Sequence, residues 1–351
     1  MSERTGRRWT YARSGVDRGT VLGGLQALLR GVTYRPPSSS RRLPPMGGHY
    51  AGLVRIGRET LAITTDTVGT KTILAERTGR WEEVGEDIVG VNVNDLAAVG
   101  ARPCGLVDCL SLDRPRTAVL AAIGRGLNRG LREARCGLLG GETAIVPDLV
   151  KGTDLGGTAI GFFPRRRRPV TGTGIRPGDV VIGIPSSGFH ANGFSLVRRL
   201  LAESRSDLRR PRPGARLSLG RELLAPTRIY VRPAESLADS TTTHGFAHIS
   251  GGGVRNLVRL HDGVRFVLDG WPDPQGLFAW AKTAGSIPDE ELYQTFNLGI
   301  GFVVVVARSS GPAALRRLRA NHAADARVVG RVERGTGVEL PHRGLRYTSY
   351  A

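Results

Sequence analysis

Leu61-Ala-Ile-Thr-Thr-Asp-Thr-Val-Gly-Thr-Lys71 is the stretch that decides the reading of this chain. Its first five residues alternate as a half-buried strand does. The remainder sets a carboxylate, a glycine, a hydroxyl and a lysine where that strand ends. Such a set suits a magnesium–phosphate group, although a polar turn has the same composition and no G-x-x-x-x-G-K-[ST] loop occurs. Outward from it, Gly85–Gly100 reads as a buried helix and Gly105–Leu110 as a strand. Arg116–Arg135 reads as a helix with small and apolar residues on one face, Gly137–Thr143 as a strand ending in a tight turn, and Gly156–Phe163 as a further strand. Toward the N-terminus, Val21–Leu29 is helical and Pro36–Pro45 extended.

The alternation returns after an Arg/Pro/Gly-rich stretch, 164–178. Asp179–Ile184 is a strand that breaks at Pro185-Ser-Ser-Gly188. Helices are expected at Asn192–Glu203, Leu223–Leu237, Gly276–Thr283 and Ala313–Asn321, and strands at Val264–Leu268 and Gly301–Val306. Arg327–Val332 reads as the last strand. The chain therefore divides into an arm (1–50), an N-terminal domain (51–168) and a C-terminal domain (175–351). The class is α/β (α+β) in two halves, neither carrying a Rossmann G-x-G-x-x-G after a strand.

A chain of 351 residues with 40% hydrophobic and 23% charged residues can bury a real core. No apolar run approaches the ~20 residues that span a bilayer, and the basic N-terminus lacks the apolar region of a secretory signal. Cys104, Cys109 and Cys136 form no C-x-x-C pair, which argues against a disulfide framework or zinc ribbon and points to a reducing, cytoplasmic setting. Fifty Lys and Arg against 31 Asp and Glu give a net charge of +19. All basic residues but Lys71, Lys151 and Lys282 are arginines, which makes each lysine conspicuous. Because the arginines are spread along the chain and aromatics are only 6%, the charge reads as solvated surface rather than as a base-stacking nucleic-acid surface.

Four further strings could carry chemistry. Val91-Asn-Val-Asn-Asp95 lies in an otherwise apolar helix, where a buried carboxylate needs a metal, an N–H or an Arg; Asp87 and Asp95 can share one helix face. Gly140-Gly-Glu-Thr143 lets the backbone pass close to a ligand beside Glu142. Asp66, Asp95 and Glu142 are hard oxygen ligands of the kind Mg²⁺ takes together with phosphate. Ser186-Ser-Gly-Phe-His-Ala-Asn-Gly-Phe-Ser195 has the shape of an anion-binding turn before a helix, with His190 a general acid or base, or else an N-capping turn with a surface His. His248-Ile-Ser-Gly-Gly-Gly253 exposes backbone N–H groups. Tyr293 and Phe296 read as core.

In this order the strings resemble the phosphoribosylformylglycinamidine cyclo-ligase (aminoimidazole ribonucleotide synthetase) family. The likeness runs from Tyr11-Ala-Arg-Ser-Gly-Val-Asp17 through Gly69-Thr-Lys71, Val93-Asn-Asp95, Gly140-Gly-Glu-Thr143, Ser187–Gly193, Leu224–Tyr230 and Gly251–Gly253 to Thr295-Phe-Asn297. Thr67 and Ile145 depart from the family pattern, and the segment Val254–Arg259 is one residue shorter. The resemblance implies a two-domain synthetase-like fold, a homodimer whose N-terminal halves pair their sheets, and ATP-driven closure of an imidazole ring. Mg²⁺-ATP is then expected at Asp66, Gly69, Thr70, Lys71, Asn94, Asp95, Gly141 and Glu142, with Lys71 and His190 catalytic. The phosphoribosyl substrate is expected at Ser186, Ser187, Gly188, His190, Asn192, Gly251, Gly252 and Gly253. A small-molecule kinase of the same superfamily is the alternative within the fold, and an arginine-rich nucleic-acid-binding protein the alternative outside it.

Overall fold

The computed structural model describes residues 8–15, 17–34, 49–164 and 167–350. The expected extended segment Pro36–Pro45 and Arg165–Arg166 lie outside them. In the first half, α1 (Arg18–Gly31) is capped by Asp17, whose side chain accepts from the Gly19 amide. Strands β1 (Gly52–Ile56) and β2 (Glu59–Thr67) precede α2 (Lys71–Thr78) and α3 (Glu82–Ala97). Then come β3 (Arg102–Leu112), α4 (Thr117–Ala134), β4 (Gly137–Ile145) and β5 (Thr153–Phe162). The five strands order as β1-β2-β5-β3-β4, with only β3 and β4 parallel.

α3 covers one face of this sheet and is buried almost all round, which is why its sequence shows no polar stripe. It can sit so close to α4 because both helices carry glycine at the crossing. A Cβ on Gly85 would overlap the Ile123 carbonyl, and one on Gly126 the Glu82 carbonyl. The opposite face of the sheet leaves Ile56, Ile63, Val107 and Leu139 exposed.

The second half has β6 (Val180–Pro185), α5 (Phe194–Ser204), α6 (Leu219–Leu223), α7 (Val231–Ala238), β7 (Thr243–His248) and β8 (Val264–Val267). α8 (Leu277–Gly285), α9 (Asp289–Thr295), β9 (Ile300–Val306), α10 (Gly311–Ala320), β10 (Arg327–Arg334), β11 (Gly337–Leu340) and β12 (Leu345–Tyr347) follow. Its sheet runs β12-β11-β8-β10-β6-β9-β7, and every residue of β9 is buried. Tyr293 and Phe296 are core residues.

Three expectations are corrected. The helix expected over Leu223–Leu237 is two short helices separated by Leu224–Tyr230, because Pro226 cannot continue a helix. Gly137–Thr143 does not end in a tight turn: β4 runs on to Ile145, and the glycines accommodate a bulge in which Leu139 is the extra residue between Leu138 and Gly140. Arg327–Val332 is not in the last strand, since β11 and β12 follow; both are too short to stand out in the sequence. Among the described residues no helix is long and apolar enough to cross a membrane.

Candidate active site

Most of the expected residues gather where the two halves meet. Asp66, at the end of β2, accepts a hydrogen bond from the Thr67 amide at 2.7 Å. Protein crowded around its carboxyl, and next the Asp95 carboxylate, raise its pKa to about 6. Asp95 comes from the last turns of α3 and pairs with His248 Nδ1 at 2.8 Å. His248 closes β7, immediately before the glycine turn, and is almost wholly buried. Its string was singled out for its glycines; a histidine at a strand end beside them was the overlooked signal.

Glu142 does not join this pair. Thr67, Gly156, Cys109 and Glu142 form one row across the sheet, and Asp66, Gly157, Asp108 and Gly141 the next. Adjacent rows point to opposite faces. A Cβ on Gly157 would touch Ile88 and Asn92 of α3, so the Asp66 row faces that helix while Glu142 points away from it. Three strand spacings also separate Glu142 from Thr67, about 14 Å. Among the described residues no group of three or more His, Cys, Asp and Glu could hold a metal ion. The carboxylate that shares the Asp66 face is Asp108, which the sequence reading passed over. A side chain on Gly141 would collide with the Asp108 carboxylate.

Lys71 and Asn94 are placed differently from expectation. Lys71 is fully buried, and its ammonium donates to the backbone oxygens of His190 and Ala225, both at 2.9 Å, and lies 2.7 Å from Asp87 Oδ2. Its three protons are all engaged, so it is not aimed at a phosphate. Asn94 uses both ends of its amide on the second half, donating to Arg228 O at 2.9 Å and accepting from the Tyr230 amide at 2.8 Å. Gly69, at positive φ, and Thr70 form the turn into α2, with Thr70 Oγ1 3.4 Å from Ser195 Oγ.

His190 is neither an N-cap nor a surface residue. It is fully buried at φ +59°, with Nε2 3.5 Å from the Tyr230 hydroxyl and its ring 6.3 Å from that of His248. Burial, then the charges of neighbouring cationic groups, hold its pKa far below the usual imidazole value. Among the described residues Nδ1 has no hydrogen-bond partner.

The Ser186–Gly188 turn is held from within. Ser186 donates to Asn297 Oδ1 at 2.9 Å, Ser187 donates to the Pro226 carbonyl, and Asn297 Nδ2 donates to Gly188 O at 2.9 Å. Substrate contact from the serines would therefore come through backbone N–H groups and hydroxyl lone pairs. Asn192 packs on Gly251. Gly252 and Gly253 both lie at positive φ, and a side chain on Gly253 would overlap the Tyr293 carbonyl. Beside that turn the Arg259 guanidinium stands over two rings, 4.1 Å from Tyr50 and 5.0 Å from Tyr350.

The fold and the sequence have counterparts. A sequence profile described as AIR synthase related protein, N-terminal domain, matches residues 48–163, and the corresponding C-terminal domain profile matches residues 176–343. Among solved structures, one described as the HypE–HypF complex has a TM-score of 0.65 at 16% identity, covering 92% of this chain and 98% of that one. Thiamine monophosphate kinase from Aquifex aeolicus has a TM-score of 0.61 at 18% identity, covering 92% and 97%. At such identity the likeness is one of fold alone; the two profile matches set the molecule among the AIR-synthase-related proteins. Two relatives named phosphoribosylformylglycinamidine cyclo-ligase extend this to sequence. That of Methanothermobacter thermautotrophicus is 44% identical over 336 residues (94% of this chain, 96% of the relative). That of Pyrococcus furiosus is 40% identical over 346 residues (96% and 99%). The chain belongs to the phosphoribosylformylglycinamidine cyclo-ligase family.

Proposed function

We propose that this chain uses ATP to close the imidazole ring of phosphoribosyl formylglycinamidine, giving 5-aminoimidazole ribonucleotide, ADP and phosphate in purine biosynthesis. The observation that carries the reading is 40% and 44% identity over nearly the full length of relatives named for this activity. The formyl-amide oxygen of the substrate is a poor leaving group. Attack of that oxygen on the terminal phosphorus of ATP expels ADP and leaves an iminophosphate. The amidine nitrogen of the same molecule then attacks the former formyl carbon, the C–O bond to phosphate breaks, and the nitrogen loses a proton. Both partners are in one molecule, so positioning supplies much of the rate.

The residues divide between the two substrates. Asp66 and Asp95 fit Mg²⁺: their carboxylates are close enough that one raises the pKa of the other, a repulsion a dication relieves. Bound there, Mg²⁺ would neutralise triphosphate charge. Gly69 and Thr70 would approach the same phosphates from the turn. Backbone N–H groups of Gly251 and Gly252, and of Ser187 and Gly188, would hold the ribose phosphate, with Asn192 beside Gly251; the N–H groups of Ser186 and Gly253 are already given to Gly299 O and Ser250 O, so those two residues would shape the turns. His190 would hold the amidine or take its proton. The net positive charge favours capture of both anionic substrates.

Equal amounts of ADP, phosphate and aminoimidazole ribonucleotide are expected from purified protein with ATP and the formylglycinamidine, without glutamine. ATP consumption with phosphate retained on an organic acceptor would instead identify a kinase, and salt-sensitive duplex binding without ATP turnover a nucleic-acid-binding protein.

The domain division at 164–178 and a cytoplasmic setting belong to the same reading; recovery in a membrane or exported fraction would contradict the latter. A homodimer is supported by the apolar outer face of the first sheet, where Ile63 and Val107 are 46% and 39% exposed. Sedimentation equilibrium should give twice the 37.6 kDa chain mass, and Val107→Glu should shift it toward the monomer. A wild-type monomer at micromolar concentration would reject this pairing.

A further inference from the structure

The buried pair Lys71–Asp87 joins the two halves of the molecule at the point where the substrate loops begin. Lys71 opens α2 and Asp87 lies in α3, both in the first half. Among the described residues, the other hydrogen bonds of their side chains all go to the second half. Lys71 Nζ donates to His190 O and Ala225 O, and Asp87 Oδ1 accepts from the Thr227 amide at 2.8 Å and from its hydroxyl at 2.6 Å. Neither side chain has any exposure. Burial pushes the Lys71 pKa down and that of Asp87 up, and their mutual attraction opposes both shifts.

We propose that Lys71 and Asp87 are positioning residues that touch no substrate and fix the loops 186–193 and 224–230 against α2 and α3, thereby setting where His190 and the Ser186–Gly188 turn stand. Three observations converge on this. His190 lies at φ +59°, a backbone state that a non-glycine residue keeps only when its surroundings hold it, and its own carbonyl is one of the Lys71 acceptors. The second acceptor, Ala225 O, is next to Pro226, whose carbonyl receives the Ser187 hydroxyl, so both substrate loops hang on one ammonium. Finally, arginine fills nearly every other basic position, yet lysine stands here. Three acceptors converging on one atom suit an ammonium, whereas the planar guanidinium spreads its donors in a fork.

The role rests on the cyclo-ligase reading, and the test separates the two. Lys71→Met alone strands a buried carboxylate and should lower the melting temperature sharply. Lys71→Met with Asp87→Asn removes both charges and keeps an acceptor for Thr227; this double variant should melt within a few degrees of wild type. Its kcat should nevertheless fall about 10²-fold, with KM for Mg²⁺-ATP within about threefold, as expected for displaced reacting groups. Hydrogen exchange should quicken at 187–193 and 226–230 and stay unchanged in the fully buried strand β9. Lys71→Arg keeps a charge opposite Asp87 but overfills the site, so it should melt between Lys71→Met and wild type without recovering kcat.

A double variant or Lys71→Arg with wild-type kcat would overturn the proposal, leaving the pair a purely structural contact. Unchanged exchange in the two loops would overturn it as well, without reference to activity. If the wild type itself forms no aminoimidazole, the functional reading fails, while the exchange result still decides whether the pair holds the loops.

Discussion

Asparagine at Asp66 or at Asp95 is expected to lower ATP turnover by about 10²- to 10³-fold, the scale on which one preorganised electrostatic partner acts, while each variant stays folded. The stability side follows from the Asp66 carboxyl. Its pKa in the folded protein is raised to about 6 from an ordinary 3.8. A raised value means that the group favours folding while protonated, below its unfolded pKa, and that this contribution is lost as pH rises through about 6. At pH 7 the ionised side chain therefore opposes folding. Asp66→Asn removes that opposition, so its melting temperature should equal or exceed that of wild type. Asp95→Asn still offers an oxygen to His248 Nδ1. Calorimetry and turnover measured together decide the matter. Variants that melt early yet keep near-normal turnover per folded molecule would show carboxylates that only support the fold.

His190→Ala should slow ring closure by about 10²-fold while leaving KM for ATP within about twofold, because His190 belongs to the loop assigned to the formylglycinamidine. The structure adds a pH signature. Burial keeps the imidazole neutral across the physiological range, so His190 should contribute no inflection to the kcat profile between pH 6 and 8. Such a neutral ring acts by holding the amidine or accepting its proton transiently; it is not a standing imidazolium acid. Wild-type turnover by His190→Ala would leave the residue a core histidine. An inflection in that window that disappears in His190→Ala would show that it titrates in the working enzyme.

What could be read from the sequence was local. The alternation of Leu61–Thr65, the apolar run through α3 and the glycine-rich strings each declare themselves within ten residues, and the structure sets Asp66 near Asp95, Asp95 on His248 just ahead of the Gly251–Gly253 turn, and His190 beside His248. Facing was harder to read. Glu142 lies outside the Asp66–Asp95 pair because strand parity and a one-residue bulge at Leu139 decide its side of the sheet, and the sequence does not announce the bulge. Lys71 looked like a phosphate ligand because nothing local shows that His190 O and Ala225 O, more than a hundred residues away, close around it. His248 and Asp108 were passed over for the same reason: each gains meaning only from a neighbour brought in by the fold.

The glycine-to-glycine seat of α3 on α4 carries a genetic consequence. α3 bears Asp87, Asn94 and Asp95, and its position is set from behind, by backbone meeting backbone at Gly85 and Gly126. One methyl group added at Gly126 must push the helices apart, and everything α3 presents to the site moves with it. A screen for lost purine synthesis would accordingly return lesions at this buried helix crossing as well as at the residues assigned to the substrates. Those alleles should be rescued by second changes that trim side chains along the α3–α4 crossing, and not by changes in the site.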